Sequence, residues 1–157
     1  MAFSTDLQIE LIATGEKAGL WGTITNNNLQ ILELAASGYF SSAALATGNL
    51  TLQLDNGSAA GTTTASGKNL LIEVTGTLTA NRVITMPTGA ERIFIVKDST
   101  VRSSSNFTIG VQNVGATTGI VPLTSGASTI YYTDGTTADS MKLLGVLNES
   151  FYNVVGG

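Results

Sequence analysis

Cysteine and histidine are both missing from this chain of 157 residues. The absence of cysteine excludes a disulfide framework and any metal site built from thiolates. The absence of histidine removes the side chain that most often acts as a general base near neutral pH. Because so much catalytic chemistry depends on these two residues, we expect a protein that is not an enzyme and that binds neither a cofactor nor a metal ion.

Charged residues are scarce as well. They make up 11% of the chain, and 7 basic against 11 acidic residues give a formal net charge of −4. The basic residues form no cluster, so we expect no contact with nucleic acid. The apolar runs fall far short of the roughly 20 residues that span a bilayer, so we also expect no membrane insertion. So little charge predicts that neighbouring subunits cover part of the apolar surface.

The stretch from Thr14 to Tyr39 is the most distinctive part of the chain. Gly15, Gly19 and Gly22 follow each other closely. This spacing predicts a bent turn, because glycine adopts positive φ angles without steric cost.

A helix is predicted after this turn, over about residues 26–37. Thr25 is a good N-cap, and Ile24 and Leu29 would then form a hydrophobic staple across the first turn. Gly38 is expected to end the helix.

The predicted helix is apolar around most of its circumference, and a helix so short and apolar needs partners on two sides. Trp21 is the only tryptophan. It either fills the core of its own chain or anchors an interface, where buried tryptophans often supply much of the binding energy. The candidate anchoring residues are Leu20, Trp21, Ile24, Leu29 and Leu32.

Short β-prone runs recur after Asn49, and seven or eight strands at this spacing predict a β-sandwich or a jelly roll. The predicted strands are 50–54, 70–75, 82–86, 92–97, 107–112, 120–123, 129–133 and 142–147. We therefore predict a mainly β protein in which residues 49–157 form the sandwich. Residues 1–48 would form an attachment segment made of a strand, a turn and the helix, with a linker from Tyr39 to Gly48. No strict internal repeat is present, so neither a β-helix nor a triple-helical shaft is predicted.

Two loops, Gly57–Gly67 and Arg102–Asn106, are candidates for binding, since specificity usually resides in loops. Asp134 and Asp139 offer oxygen ligands of the kind that calcium prefers, but their spacing is more typical of turns. Tyr131 and Tyr132 are adjacent in a predicted strand, so one is expected to face the core and the other the surface.

A resemblance to a known family adds to these expectations. The segment Leu7–Glu16, the Trp21-Gly22-Thr23 motif and the run Thr25–Leu29 resemble the N-terminal segment of tail fibre and related virion proteins of tailed bacteriophages, especially those infecting cyanobacteria and marine bacteria. The stretches Leu71–Pro87 and Tyr132–Thr136 are similar to the β-rich segment that follows in those proteins.

The resemblance implies a homotrimer that docks onto the virion through residues like Leu7–Tyr39. Its virion partners would be a tail adaptor, a nozzle or the baseplate, and the β domain would project outward for adhesion, with host surface polysaccharide as a further partner. Such a protein is made in the host cytoplasm and resides in the phage particle.

Two other functions stay open. A capsid decoration or cement protein would use a similar small β domain in many copies, and the short chain favours it. A polysaccharide-cleaving tailspike would need two carboxylates at a defined separation. The acidic residues are too dispersed along the sequence for us to name such a pair.

Overall fold

The computed structural model describes residues 2–4, 7–54 and 66–147. The protein is mainly β, with several sheets and one α-helix in the described ranges. In chain order the elements are β1 (Ala2–Phe3), β2 (Glu10–Leu11), α1 (Trp21–Ser37), β3 (Tyr39–Ser42), β4 (Leu50–Thr51), β5 (Leu71–Val74), β6 (Thr77–Leu78), β7 (Arg82–Met86), β8 (Arg92–Asp98), β9 (Val101–Arg102), β10 (Ile109–Asn113), β11 (Val121–Leu123), β12 (Ser128–Thr133) and β13 (Lys142–Leu147). Short 3₁₀ turns lie at Ala44–Ala46 and Ser66–Lys68.

Two larger sheets contain most of the strands. One has the order β13-β12-β8-β5-β3 and the other the order β11-β10-β7-β4, while β1 pairs with β2 and β6 with β9. Apolar side chains from both larger sheets form one core cluster. Its members on the strands include Ile72, Val74, Ile84, Met86, Phe94, Val96, Ile109, Val111 and Tyr131.

Many of the strands run parallel, which the prediction did not anticipate. The series β3, β5 and β8 is parallel, as are the series β4, β7 and β10 and the pair β6 and β9. The chain thus passes three times through corresponding strand positions, and β11, β12 and β13 then pair in antiparallel fashion.

This pairing differs from the antiparallel ladders of a jelly roll or an immunoglobulin-type sandwich, and its stacked passes resemble a short parallel β-helix. Alternation along a strand shows which face is buried but carries no information on strand direction.

The absence of a strict repeat in the sequence also has a structural cause. Leu71 pairs with Ile95, 24 positions further on, whereas Ile84 pairs with Val111, 27 positions further on. Passes of unequal length leave no fixed period in the sequence.

Each of the eight predicted strands overlaps an observed one, and the predicted bounds 82–86 and 142–147 are those of β7 and β13. The linker interpretation of Tyr39–Gly48 is wrong. Tyr39 to Ser42 form β3, which pairs with β5, and Leu45 is completely buried in the core.

The adjacent tyrosines face opposite sides, as predicted. Tyr131 is completely buried and its ring lies 5.7 Å from that of Phe94, centroid to centroid. Burial raises the pKa of its phenol. Tyr132 is partly exposed and donates a 2.6 Å hydrogen bond to Glu91 Oε1.

The helix starts earlier than predicted, at Trp21 rather than near residue 26. Thr25 therefore lies inside it, and Leu20, which makes no side-chain capping bond, occupies the N-cap. The helix ends at the predicted Gly38, but that glycine is extended, with φ −65°. Position 38 has no room for a side chain, because a Cβ would lie 2.6 Å from Asn69 Oδ1 and closer still to the backbone of Leu34.

Candidate functional site

The outer face of α1 is the candidate functional site. Trp21 is 62% exposed, Leu29 57% and Leu32 43%. At 3.6 residues per turn these three side chains lie within about 80° of the helix circumference. Leu20, directly before the helix, is also exposed. Three large apolar side chains thus form one stripe on the surface of the protein, and we call Trp21, Leu29 and Leu32 the α1 stripe.

A different face of the helix, about 110° around from the stripe, is buried. Ile24 is 6% exposed and Ile31 is completely buried. These residues stand seven positions apart, close to two full turns, so they lie on one side of the helix. Four of the five predicted anchoring residues are therefore at the surface, while Ile24 packs inside its own chain. Trp21 does not fill the core.

Asn28 of α1 binds the segment before the helix through hydrogen bonds. The side-chain amide of Asn28 donates a hydrogen bond to Glu10 O, and its Oδ1 accepts one from Glu10 N, both of 2.9 Å. The side chain of Glu10 is buried and forms an ion pair of 3.3 Å with Lys17. Sequence reasoning did not single out Asn28, because it is one of three consecutive asparagines.

The turn between Glu10 and the helix has the predicted irregular backbone. Gly15 and Gly19 have φ angles of +83° and +81°, and Lys17 adopts +61°. Gly22 is not part of the turn, since it lies in the first turn of α1. The N-terminal hairpin also reaches the β-rich part, where Gln8 Nε2 donates a 2.9 Å hydrogen bond to Gly89 O.

The C-terminal end of the helix is held by the five-stranded sheet. Leu34 O accepts hydrogen bonds from Gly38 N and from Leu70 N, and Leu71 N donates to Gly38 O. Buried Arg92 donates to the carbonyl groups of Gly67 and Asn69 in the neighbouring turn.

Burial lowers the pKa of the Arg92 guanidinium to about 10. The side chain therefore stays charged at neutral pH. Sequence reasoning missed its role, because nothing in its neighbours along the chain marks it as buried. With its middle bonded to Glu10 and its C-terminal end bonded to the sheet, α1 presents its apolar stripe from a defined position.

The structure describes the two predicted binding loops to different extents. Most of Gly57–Gly67 lies outside the described residues, and its last two residues, Ser66 and Gly67, are buried. In Arg102–Asn106, all three guanidinium nitrogens of Arg102 donate hydrogen bonds, to Phe107 O, Ser125 Oγ and the buried carboxylate of Asp98. Arg102 thus positions the loop. A shallow cavity of about 360 Å³ beside it is lined in part by Ser105, Phe107 and Pro122.

The acidic residues considered as calcium ligands act as caps of loops. Asp134 Oδ1 accepts hydrogen bonds from the backbone N–H groups of Thr136 and Thr137, at 2.9 and 2.8 Å. Asp139 Oδ1 accepts from three consecutive N–H groups, those of residues 117–119. These bonds lower the pKa of both carboxyl groups. Within the described ranges, no three acidic residues come together as a metal site would require.

None of the helical structure in the described residues is both long and apolar enough to cross a membrane. Comparisons with protein-family models, with curated proteins and with solved structures each found no match to this chain. The function is therefore argued from the arrangement of residues described above.

Proposed function

We propose that this protein is a structural component of a bacteriophage particle, a short tail fibre or fibre-attachment protein that docks through the outer face of α1. The observation that carries the proposal is the α1 stripe, exposed on a helix that is bonded to the N-terminal hairpin at Asn28 and to the five-stranded sheet at its C-terminal end. The resemblance of Leu7–Glu16 and Trp21–Thr23 to tail fibre proteins supplies the class of particle.

The energetics favour docking at this stripe. Burying a large apolar side chain completely stabilises by about 1.5–3 kcal/mol. Each of the three side chains still exposes roughly half of its surface, so an interface that covers them gains on the order of 1 kcal/mol from each. Because the helix is already held in place, little further entropy is lost when it docks.

In the proposed assembly, three copies pack their α1 stripes around an axis. A stripe of about 80° is narrow, as in helices that meet along a seam. The N-terminal strand, turn and helix serve as the attachment segment to a tail adaptor, nozzle or baseplate protein. The two larger sheets, layered over their common core, project outward, and the Arg102–Asn106 loop contacts host surface polysaccharide.

The proposed role is assembly and adhesion without catalysis. In support, the chain has no histidine or cysteine to act as base or nucleophile. Asp134 and Asp139 already accept backbone hydrogen bonds, which suits carboxylates that hold loops in place.

The proposal is tested by the mass of the purified protein in solution, measured by light scattering for the native chain and for Leu29→Glu. We expect a trimer that dissociates to smaller species in the variant. Ile120→Glu is the matched control, because Ile120 is equally apolar, 51% exposed and lies outside α1. A native mass that Leu29→Glu leaves unchanged would refute docking through this face between copies.

A capsid decoration protein is the second candidate. The described chain makes only three stacked passes, which is short for the shaft of a fibre. Antibody labelling of phage particles separates the two functions, since a fibre is present in a few copies at the tail and a decoration protein covers the shell.

A further inference from the structure

Two shallow cavities adjoin at the start of β10. One is the cavity of about 360 Å³ beside the Arg102–Asn106 loop, and the other has a volume of about 330 Å³. Thr108, Ile109 and Pro122 line both of them. We call the two cavities together the β10 groove. Each has the volume of a small-ligand site, about 300–1,000 Å³, and the two in succession suit an elongated ligand.

The β10 groove carries positive charge. Its charged lining residues are Arg82 and Arg102, and no described aspartate or glutamate lines either cavity. The ion pair with Asp98 offsets the charge of Arg102. Arg82 has no ion-pair partner in the described chain, and its one hydrogen bond there runs from Nε to Leu45 O, at 2.9 Å. The groove thus holds an uncompensated cation in a chain whose net charge is −4.

The hydrogen-bonding groups beside this cation are donors. The bond from Nε orients the Arg82 guanidinium, whose two terminal nitrogens form the planar fork that binds a carboxylate through two hydrogen bonds. Asn81 lines the same cavity. Its Oδ1 accepts a 3.0 Å hydrogen bond from Thr108 N, and its Nδ2 has no partner among the described residues. This end of the groove therefore selects an anionic acceptor.

The wall next to these donors is apolar. Ile120 is 51% exposed, and Pro122 is exposed as well. A Cβ at Gly110 would lie 2.5 Å from Ile120 Cγ2. The Ile120 side chain thus lies across β10, in the space that a larger residue at position 110 would fill. Such a surface packs against the C–H face of a sugar ring and leaves the hydroxyl groups of the ring in water.

From these observations we infer that the β10 groove binds an acidic polysaccharide. Arg82 and Asn81 hold the carboxylate of a uronic acid, and the sugar rings pack on Ile120 and Pro122. The inference deepens the proposed function and rests on it for the source of the ligand, which is the host surface.

A polypeptide fits this groove less well. A peptide that extends a sheet needs main-chain donors along an edge strand. Strand β11 is the edge of the four-stranded sheet in the described chain, and the middle one of its three residues is Pro122, which has no N–H.

Binding is tested on the full chain with three acidic probes, oligosaccharides of polygalacturonate, of alginate and of hyaluronan. Each is compared with its carboxyl-reduced form, in which an uncharged hydroxymethyl group replaces the carboxylate and the linkages are unchanged. NMR titration measures the Kd and locates the site. We expect at least one acid to shift the amide signals of Thr108, Gly110 and Ile120. Its reduced form should bind at least about tenfold more weakly, because it loses the charge-assisted hydrogen bonds.

Matched variants connect the binding to the groove. Arg82→Gln should raise the Kd at least about tenfold, whereas Lys142→Gln, which removes the same charge from the exposed start of β13, should leave it unchanged. Ile120→Glu places a carboxylate at an exposed position of the groove and should abolish binding. Val114→Glu, at an apolar position that is 46% exposed outside any strand, should preserve it. Because Ile120 and Val114 are both exposed, this second pair gives an answer even where Arg82→Gln does not fold.

Three results would overturn the inference. They are no binding by any of the three acids, binding that carboxyl reduction does not weaken, and equal affinities of Ile120→Glu and Val114→Glu. These results are separate from the mass measurement that tests the proposed function. A chain that assembles through α1 but binds no acid refutes only the groove as a polysaccharide site, and a chain that binds the acid without assembling refutes only docking between copies through α1.

Discussion

Asn28 provides the sharpest test of how the attachment segment is held. It is the third of three consecutive asparagines on α1, and its side chain bonds both the N–H and the C=O of Glu10. Asn26 lies on the same helix and is exposed. Replacing each by alanine changes the same atoms at two positions that differ in their contacts.

The expected difference follows from these contacts. Alanine favours the helix over asparagine by about 0.6 kcal/mol, a gain that both variants share. Asn28→Ala also loses two hydrogen bonds to backbone groups, each with a net value of about 1 kcal/mol and more where the remaining partner stays buried. We therefore expect the free energy of unfolding of Asn28→Ala to lie about 2–3 kcal/mol below that of Asn26→Ala.

Urea unfolding followed by circular dichroism measures this difference, and hydrogen exchange locates it. The amide of Glu10 should lose protection in Asn28→Ala and keep it in Asn26→Ala. Equal unfolding free energies, with the Glu10 amide still protected, would show that this hydrogen-bonded pair does not hold the segment.

Further predictions concern packing, the exposed face of the helix and pH. Gly38→Ala should lower the unfolding free energy by about 1–3 kcal/mol, because its Cβ would overlap the helix backbone. Gly22→Ala, with open space around the new Cβ, should raise the unfolding free energy by up to about 1 kcal/mol. Urea unfolding measures both values, and two variants of equal stability would contradict the prediction. Ile31→Ala should destabilise by about 2–5 kcal/mol because Ile31 is fully buried, whereas Leu32→Ala should change the unfolding free energy little but weaken self-association in light scattering. The pKa of Glu73 is lowered to about 2 by hydrogen bonds from Ser99 and Tyr39 and by Lys97. The Glu73 carboxylate should therefore contribute its full stabilisation above its ordinary pKa of 4.5 and lose it as the pH falls towards 2. Glu73→Gln should remove this pH-dependent loss of stability from the acid unfolding curve.

Much of the local structure was predictable from the sequence. Short β-prone runs located β7 and β13 to the residue, and the two-residue period of a strand placed Tyr131 and Tyr132 on opposite faces. These features depend on neighbours along the chain, since the period of a strand decides which side chains share a face. The early start of α1 was missed because Thr25 has the chemistry of a cap but is not needed as one.

The candidate site was only partly predictable. The sequence indicated an apolar helix with Leu20, Trp21, Ile24, Leu29 and Leu32 as its anchoring residues. Composition and periodicity do not show which side of an apolar helix faces its own chain. The structure decides this by burying Ile24 and Ile31 and leaving the α1 stripe exposed.

The sequence by itself determined that this is a mainly β protein without thiol or imidazole chemistry, with one apolar helix that ends at Gly38. The tertiary structure alone decided that β3, β5 and β8 run parallel, that Asn28 rather than Asn26 binds Glu10, and that β13 lies beside β12 at the end of its sheet within the described residues. The physical reason is that backbone preferences and side-chain periods act between near neighbours. Strand order, direction and burial depend instead on contacts between residues far apart in the chain, and no local pattern records them.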